Sequence, residues 1–276
     1  MFSNSVQPSI MSLFSSTGSD PLQLFETHLD ASLTADSSIH LLHDTKSLPL
    51  PAAPTMIISP PTMNNDSDDV GYGLNQTVLQ IQSPTLRTTY IHCPPAGGPG
   101  HSGPPRGARD KSNDLGIRHP WMHLQIRNMG REWSFEVGIV DQSNRMGIIR
   151  LSTFQKQPRL KLSSTMDAYP LLHLPLSFPP SSSRPLTAWS TVTLCLPSYL
   201  PYFSSPNLIN QGDGSVDDDS NVRSLRMNSS GAIPSGSYSH VAYVRIYATC
   251  RLRRIWFDEA GPGQKVPWEF ELYGNA

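Results

Sequence analysis

Apolar and polar residues alternate in segment after segment of this chain, and that period most restricts how it folds. Successive side chains of an extended strand point to opposite sides, so a period of two marks a strand with one face in a core. In residues 132–139, Trp133, Phe135, Val137 and Ile139 share one side, while Glu132, Ser134, Glu136 and Gly138 share the other. Residues 121–127 set Met122, Leu124 and Ile126 against His123, Gln125 and Arg127. Between the two runs, Asn128, Met129, Gly130 and Arg131 make a short connection with a glycine available for positive φ, which predicts a β-hairpin.

The period returns at 188–196, where Ser190, Val192, Leu194 and Leu196 oppose Trp189, Thr191, Thr193 and Cys195. In 240–252, read as one strand, Val244, Ile246, Ala248, Cys250 and Leu252 alternate with Tyr243, Arg245, Tyr247, Thr249 and Arg251. Shorter candidates are 21–26, 78–82, 87–93, 147–154 and 268–273, and no segment keeps helical spacing over three turns. Many short strands with turn residues between them imply an all-β fold, an antiparallel sandwich or barrel.

Four stretches break the pattern. Residues 36–76, 94–113, 175–186 and 204–237 concentrate proline, glycine, serine and aspartate, and proline reaches 26 of 276 residues overall. Such composition buries too little apolar area to offset the entropy of ordering. Each stretch lies between candidate strands, so the expectation is one domain over 1–276 with four loop insertions, which loop-closure entropy tolerates.

Lysine and arginine total 21 against 22 acidic residues, which argues against a partner held by bulk charge, nucleic acid above all. No run of 18 apolar residues occurs, and the N-terminus lacks a basic start with an unbroken apolar stretch, so an intracellular chain with no membrane partner is expected. Cys93, Cys195 and Cys250 are odd in number and far apart, which fits reduced thiols. Cys93 follows His92, but neighbours on a strand point apart and do not share a metal. The nine histidines form no HExxH motif, the glycines of 97–103 lack a phosphate-loop pattern, and the acidic run 213–219 lacks calcium-loop spacing. No catalytic residue, cofactor or metal is expected, and the chain reads as a binding protein.

The stretch CRLRRIWF, residues 250–257, is the most informative. On a straight strand, Arg245, Arg251 and Arg253 fall beside Tyr243 and Tyr247. The apolar phase then shifts between Leu252 and Ile255, which predicts a bulge at Arg253 and Arg254. Guanidinium forks beside tyrosine rings suit carboxylate-bearing or aromatic partners. Tyr243, Arg245, Tyr247, Arg251, Arg253 and Arg254 are therefore the candidate partner-binding residues. The competing reading is a solvated face in which Arg251 or Arg253 pairs with Glu269 or Glu271 on a neighbouring strand.

These blocks resemble the cilia- and flagella-associated protein 20 family. The resemblance rests on the opening MFSNSVQPSIMSLFSSTGSDPLQLFE with its Gly18-Ser19-Asp20-Pro21-Leu22-Gln23 turn, on TTYIHCP at 88–94, LGI at 115–117 and FEV at 135–137, and most closely on VRIYATCRLRRIWF at 244–257. It implies a jelly-roll-like β-sandwich similar to carbohydrate-binding modules, with no catalytic site. It also implies tubulin or axonemal inner-junction proteins as partners, at a cilium, flagellum or basal body. The alternative it leaves open is a nuclear scaffold in transcription or RNA processing.

Overall fold

The computed structural model describes residues 1–44, 46–48, 58–59, 73–74, 77–95, 114–162, 169–179, 188–209 and 233–270. Most of the four predicted insertions, including 97–103 and 213–219, lies outside the described residues. In chain order the strands are β1 (Ile10–Ser15), β2 (Glu26–His28), β3 (Ser38–His43), β4 (Ile58–Ser59) and β5 (Gly73–Leu74). They continue with β6 (Thr77–Gln82), β7 (Tyr90–Cys93), β8 (Trp121–Asn128), β9 (Ser134–Asp141) and β10 (Met146–Ser152). The last are β11 (Arg159–Lys161), β12 (Leu171–Pro175), β13 (Trp189–Cys195), β14 (Tyr238–Tyr247) and β15 (Cys250–Asp258).

Two sheets face each other. The first runs β13-β8-β15-β6-β3, with β1 also paired to β15; the second runs β11-β12-β10-β9-β14-β7-β2, and β4 pairs with β5 apart from both. All pairings are antiparallel except β10 with β12. The inward side chains that period two marks out meet between the sheets. Leu79, Met122, Leu124, Ile126, Cys250, Leu252, Ile255 and Phe257 come from the first sheet, and Ile91, Phe135, Val137, Ile139, Ile149, Val244 and Ile246 from the second. This all-β sandwich is the fold class that the alternation implies.

The predicted bulge also has a purpose. Cys250–Leu252 of β15 pair with β6, whereas Arg254–Asp258 pair with β1, and the register on the β8 side slips between Leu252 and Arg254. At the slip, the Arg253 carbonyl accepts from the Ser16 amide at 2.9 Å. One edge of β15 thus serves two short strands in succession.

Four expectations are corrected. Residues 121–127 and 132–139 are not a hairpin: β8 pairs with β13 and β15, β9 with β10 and β14, and residues 129–133 carry the chain from one sheet to the other. Nor is 240–252 one strand, because β14 ends in the second sheet at Tyr247 and β15 begins in the first at Cys250. In both cases the alternation runs on undisturbed, since each strand directs its apolar side to the same core. Residues 21–24 form turns in which the Phe25 amide donates to Leu22 O at 2.8 Å, and only Glu26–His28 is strand. Trp268–Phe270 is a 3₁₀ turn, with 271–273 outside the described residues. The 36–76 stretch, in addition, opens with β3 and its buried Leu42, which the neighbouring prolines hid.

Candidate functional site: two arginine-bearing faces

The chain crosses between sheets at Ala248 and Thr249, so the six candidate residues do not share a face. Tyr243, Arg245 and Tyr247 lie on the outside of the second sheet. Arg251, Arg253 and Arg254 lie on β15 in the first, away from them. The face proposed from the sequence is therefore split in two, because alternation separates inside from outside without saying which outside.

On the second sheet, register builds a polar row across seven strands. Arg159 pairs with His173, His173 with Arg150, Arg150 with Glu136, Glu136 with Arg245, Arg245 with His92, and His92 with Glu26. Its arginines sit on every second strand, roughly 10 Å apart at ordinary strand spacing. Glu136 is the hub, its side chain 3% exposed. Arg150 donates to its Oε1 through Nε at 2.7 Å and also through Nη2, Tyr243 donates to Oε2 at 3.3 Å, and Arg245 Nη1 lies 3.8 Å from Oε2. The two arginine side chains remain partly exposed, 32% for Arg150 and 30% for Arg245.

Tyrosine rings frame the row. The Arg245 guanidinium lies 4.8 Å from the Tyr90 ring centre, 5.7 Å from Tyr243 and 5.9 Å from Tyr247, and it donates to the Tyr247 hydroxyl at 3.2 Å. Tyr243 lies flat because the strand beneath it carries Gly138, where a Cβ would stand 2.5 Å from the ring. Burial, with Glu136 nearby, pushes the Tyr243 hydroxyl well up, so it stays a donor. Burial and the neighbouring guanidinium charge hold the row's imidazoles neutral: His92 beside Arg245 and His173 beside Arg150 are each pulled down to about 4. His92, His173, Arg150 and Glu136 escaped the sequence reading, which saw no register. Gly138 in a strand interior was the available signal, since it marks a close approach.

The outside of the first sheet is closed over along β15. Arg251, 4% exposed, donates to Asp44 Oδ1 at 2.8 Å, to the Asp44 carbonyl, to Ser47 at 2.7 Å and to Gln80 at 3.0 Å. Asp44 also accepts from Arg127 at 2.9 Å and from the Trp189 indole at 2.9 Å. Burial alone would raise the Asp44 carboxyl; the donors from Arg251, Trp189 and Arg127 outweigh it and hold the group below its ordinary value. Arg251 therefore has its partner in a segment expected to be a loop; Glu269 does not supply it, and Glu271 lies outside the described residues. The Arg253 guanidinium lies 4.8 Å from the Trp189 ring, and Arg254 lies 4.7 Å from the Phe270 ring beneath the C-terminal segment.

Farther along the same face, His123 stacks on Trp256 at 4.8 Å, with its Nδ1 3.0 Å from the Thr193 hydroxyl. Its Nε2 faces Asp258 Oδ2 at 2.9 Å without the alignment of a hydrogen bond, while Asp258 Oδ1 accepts from the Gly261 amide at 2.6 Å. Thr193 and His123 are direct cross-strand partners, so the trio is a packing row on the sheet. Among the described residues no group of three or more His, Cys, Asp or Glu side chains gathers to hold a metal. Cys93 is in the core with its thiol pushed up to about 12 by burial, and His92 points outward from the same strand. No helix of the described residues is long and apolar enough to cross a membrane.

The family model of the CFA20 domain matches residues 39–174, from β3 to β12. Over 99% of its length the chain is 23% identical to cilia- and flagella-associated protein 20 of Chlamydomonas reinhardtii, covering 97% of that protein. It is 22% identical to the proteins of the same name in Caenorhabditis elegans and Caenorhabditis briggsae, again over 99% of this chain and over 91% of each of them. The family match takes in Glu136, Arg150 and His173, and the alignments with the relatives extend beyond it through Arg245, so the chain is similar to CFA20-domain proteins over nearly its whole length.

Proposed function

We propose that this chain is a non-catalytic structural protein of the cilium or flagellum that binds tubulin or an axonemal neighbour through the outside of its second sheet. The observation that carries the reading is the polar row centred on Glu136, which sets the half-buried Arg150 and Arg245 among Tyr90, Tyr243 and Tyr247 on the outside of the sheet. Such forks and rings suit an acidic partner, and complementary charge favours specificity and encounter rate more than raw affinity. The names of the relatives support the cilium or flagellum as the setting.

Microtubule co-sedimentation tests it. Arg245→Glu is expected to weaken binding at least tenfold, while Arg253→Glu on the other sheet leaves it within twofold. Thermal melts of both variants accompany the assay, so that a collapsed fold is not counted as lost binding. Equal retention of binding by both folded variants would remove the proposed face.

A further inference from the structure

The C-terminal segment covers a set of polar groups on the first sheet that it does not satisfy. Gln125, Arg254 and Trp256 occupy adjacent positions on β8 and β15, and they are 0%, 5% and 3% exposed. All three meet at Phe270. The Gln125 amide donates to the Phe270 carbonyl, the Arg254 guanidinium stacks 4.7 Å from its ring, and Trp256 meets the ring edge to face at 5.2 Å. Yet, among the described residues, Gln125 Oε1, Arg254 Nε and Trp256 Nε1 are each buried without a hydrogen-bond partner. Two donors and one acceptor thus remain unmet beneath one short strap. Leaving them so costs more than an ordinary hydrogen bond returns.

Charge points the same way. Among the described residues no carboxylate pairs with Arg254. Glu269, the strap's own acid, acts on it only at longer range, and burial draws the guanidinium down to about 10. The strap itself is slight: Trp268–Phe270 is a single 3₁₀ turn, and Trp268 remains 46% exposed.

We infer that Gln125, Arg254 and Trp256 form a peptide-binding site for which residues 264–270 are a resident placeholder. Its true occupant is a partner's acidic-aromatic segment that sets a carboxylate on Arg254 Nε and Trp256 Nε1. The site stands on the sheet opposite the proposed microtubule face and does not depend on that assignment. A second copy's strap is the weaker fit, because it would leave the same atoms unmet.

Fluorescence anisotropy on the full chain carrying Phe270→Ala is the test. The probe is a labelled peptide with the sequence of residues 264–270, prepared as the free acid and as the C-terminal amide. Free acid is expected to bind at least tenfold more tightly than amide, and Arg254→Gln in the same background should abolish that difference. Should Phe270→Ala fail to melt like the unaltered chain, Phe270→Leu replaces it. Hydrogen exchange on the unaltered chain is the second readout, with saturating free-acid peptide expected to raise exchange at 264–270. Failure of a folded variant to bind, equal binding of acid and amide, or a dimer formed by exchange of straps would overturn the proposal.

Discussion

The two outer faces of this sandwich both carry arginines, and they use them in different ways. On the second sheet Arg150 and Arg245 close on Glu136 from neighbouring strands, so each is neutralised within the sheet and still partly exposed. On the first, Arg251 spends its donors on Asp44, Ser47 and Gln80 and is buried, and Arg254 is roofed by Phe270. An arginine in an alternating strand is therefore no measure of a basic surface. What decides is whether its partner comes from an adjacent strand, which leaves the face clear, or from a covering loop, which closes it.

The largest expected break falls on the closed face. Asp44→Ala strands Arg251 and its fork without an acceptor, and losing one member of a buried pair costs about 3–5 kcal/mol, read from the midpoint of urea unfolding. Charge reversal at a rim position on the open face should cost far less.

Next comes Gly138→Val, which drives a side chain into the Tyr243 ring and releases its bond to Glu136. Overpacking of this kind costs about 1–3 kcal/mol, measured in the same unfolding assay, and microtubule affinity should fall with it. The closed face should be unmoved, with the Trp189 environment unchanged by fluorescence.

Acid distinguishes the faces further. His92 and His173, both on the second sheet, bind protons in the unfolded chain near the ordinary value of about 6.5, but in the fold only near about 4. Between those values the unfolded state takes up more protons, so stability present above pH 6.5 is lost as pH falls toward 4. Replacing both by glutamine should flatten thermal stability across that window. Asp44, held low in the fold, adds its own loss only at the lower pH where the unfolded carboxyl begins to protonate.

The smallest effect belongs to Arg253→Ala, which removes a guanidinium from the Trp189 ring, worth about 0.5–1 kcal/mol. A shift in indole emission without a change in microtubule binding is the expected result.

Inside and outside were legible from period two alone: Met122, Leu124, Ile126, Phe135, Val137 and Ile139 all point to the core as read. The connections were not. Asn128–Arg131 looks like a hairpin turn, and Ala248-Thr249 looks like mid-strand, because a chain stepping between facing sheets keeps its apolar phase in both. Asp44 was missed since the prolines at 49, 51 and 54 coloured the whole stretch as loop. Glu136 and Arg150 became partners only through register, which no local pattern specifies. The bulge at Arg253 was readable, since the phase shift that marks it is itself local.

Hydroxyl-radical footprinting of the chain on microtubules tests the division of the two faces most directly, because it reads aromatic side chains on each. Protection of Tyr90 and Tyr243, with Trp268 and Phe270 as reactive as in the free chain, is the predicted pattern. Protection of Trp268 and Phe270 with the two tyrosines left reactive would contradict it.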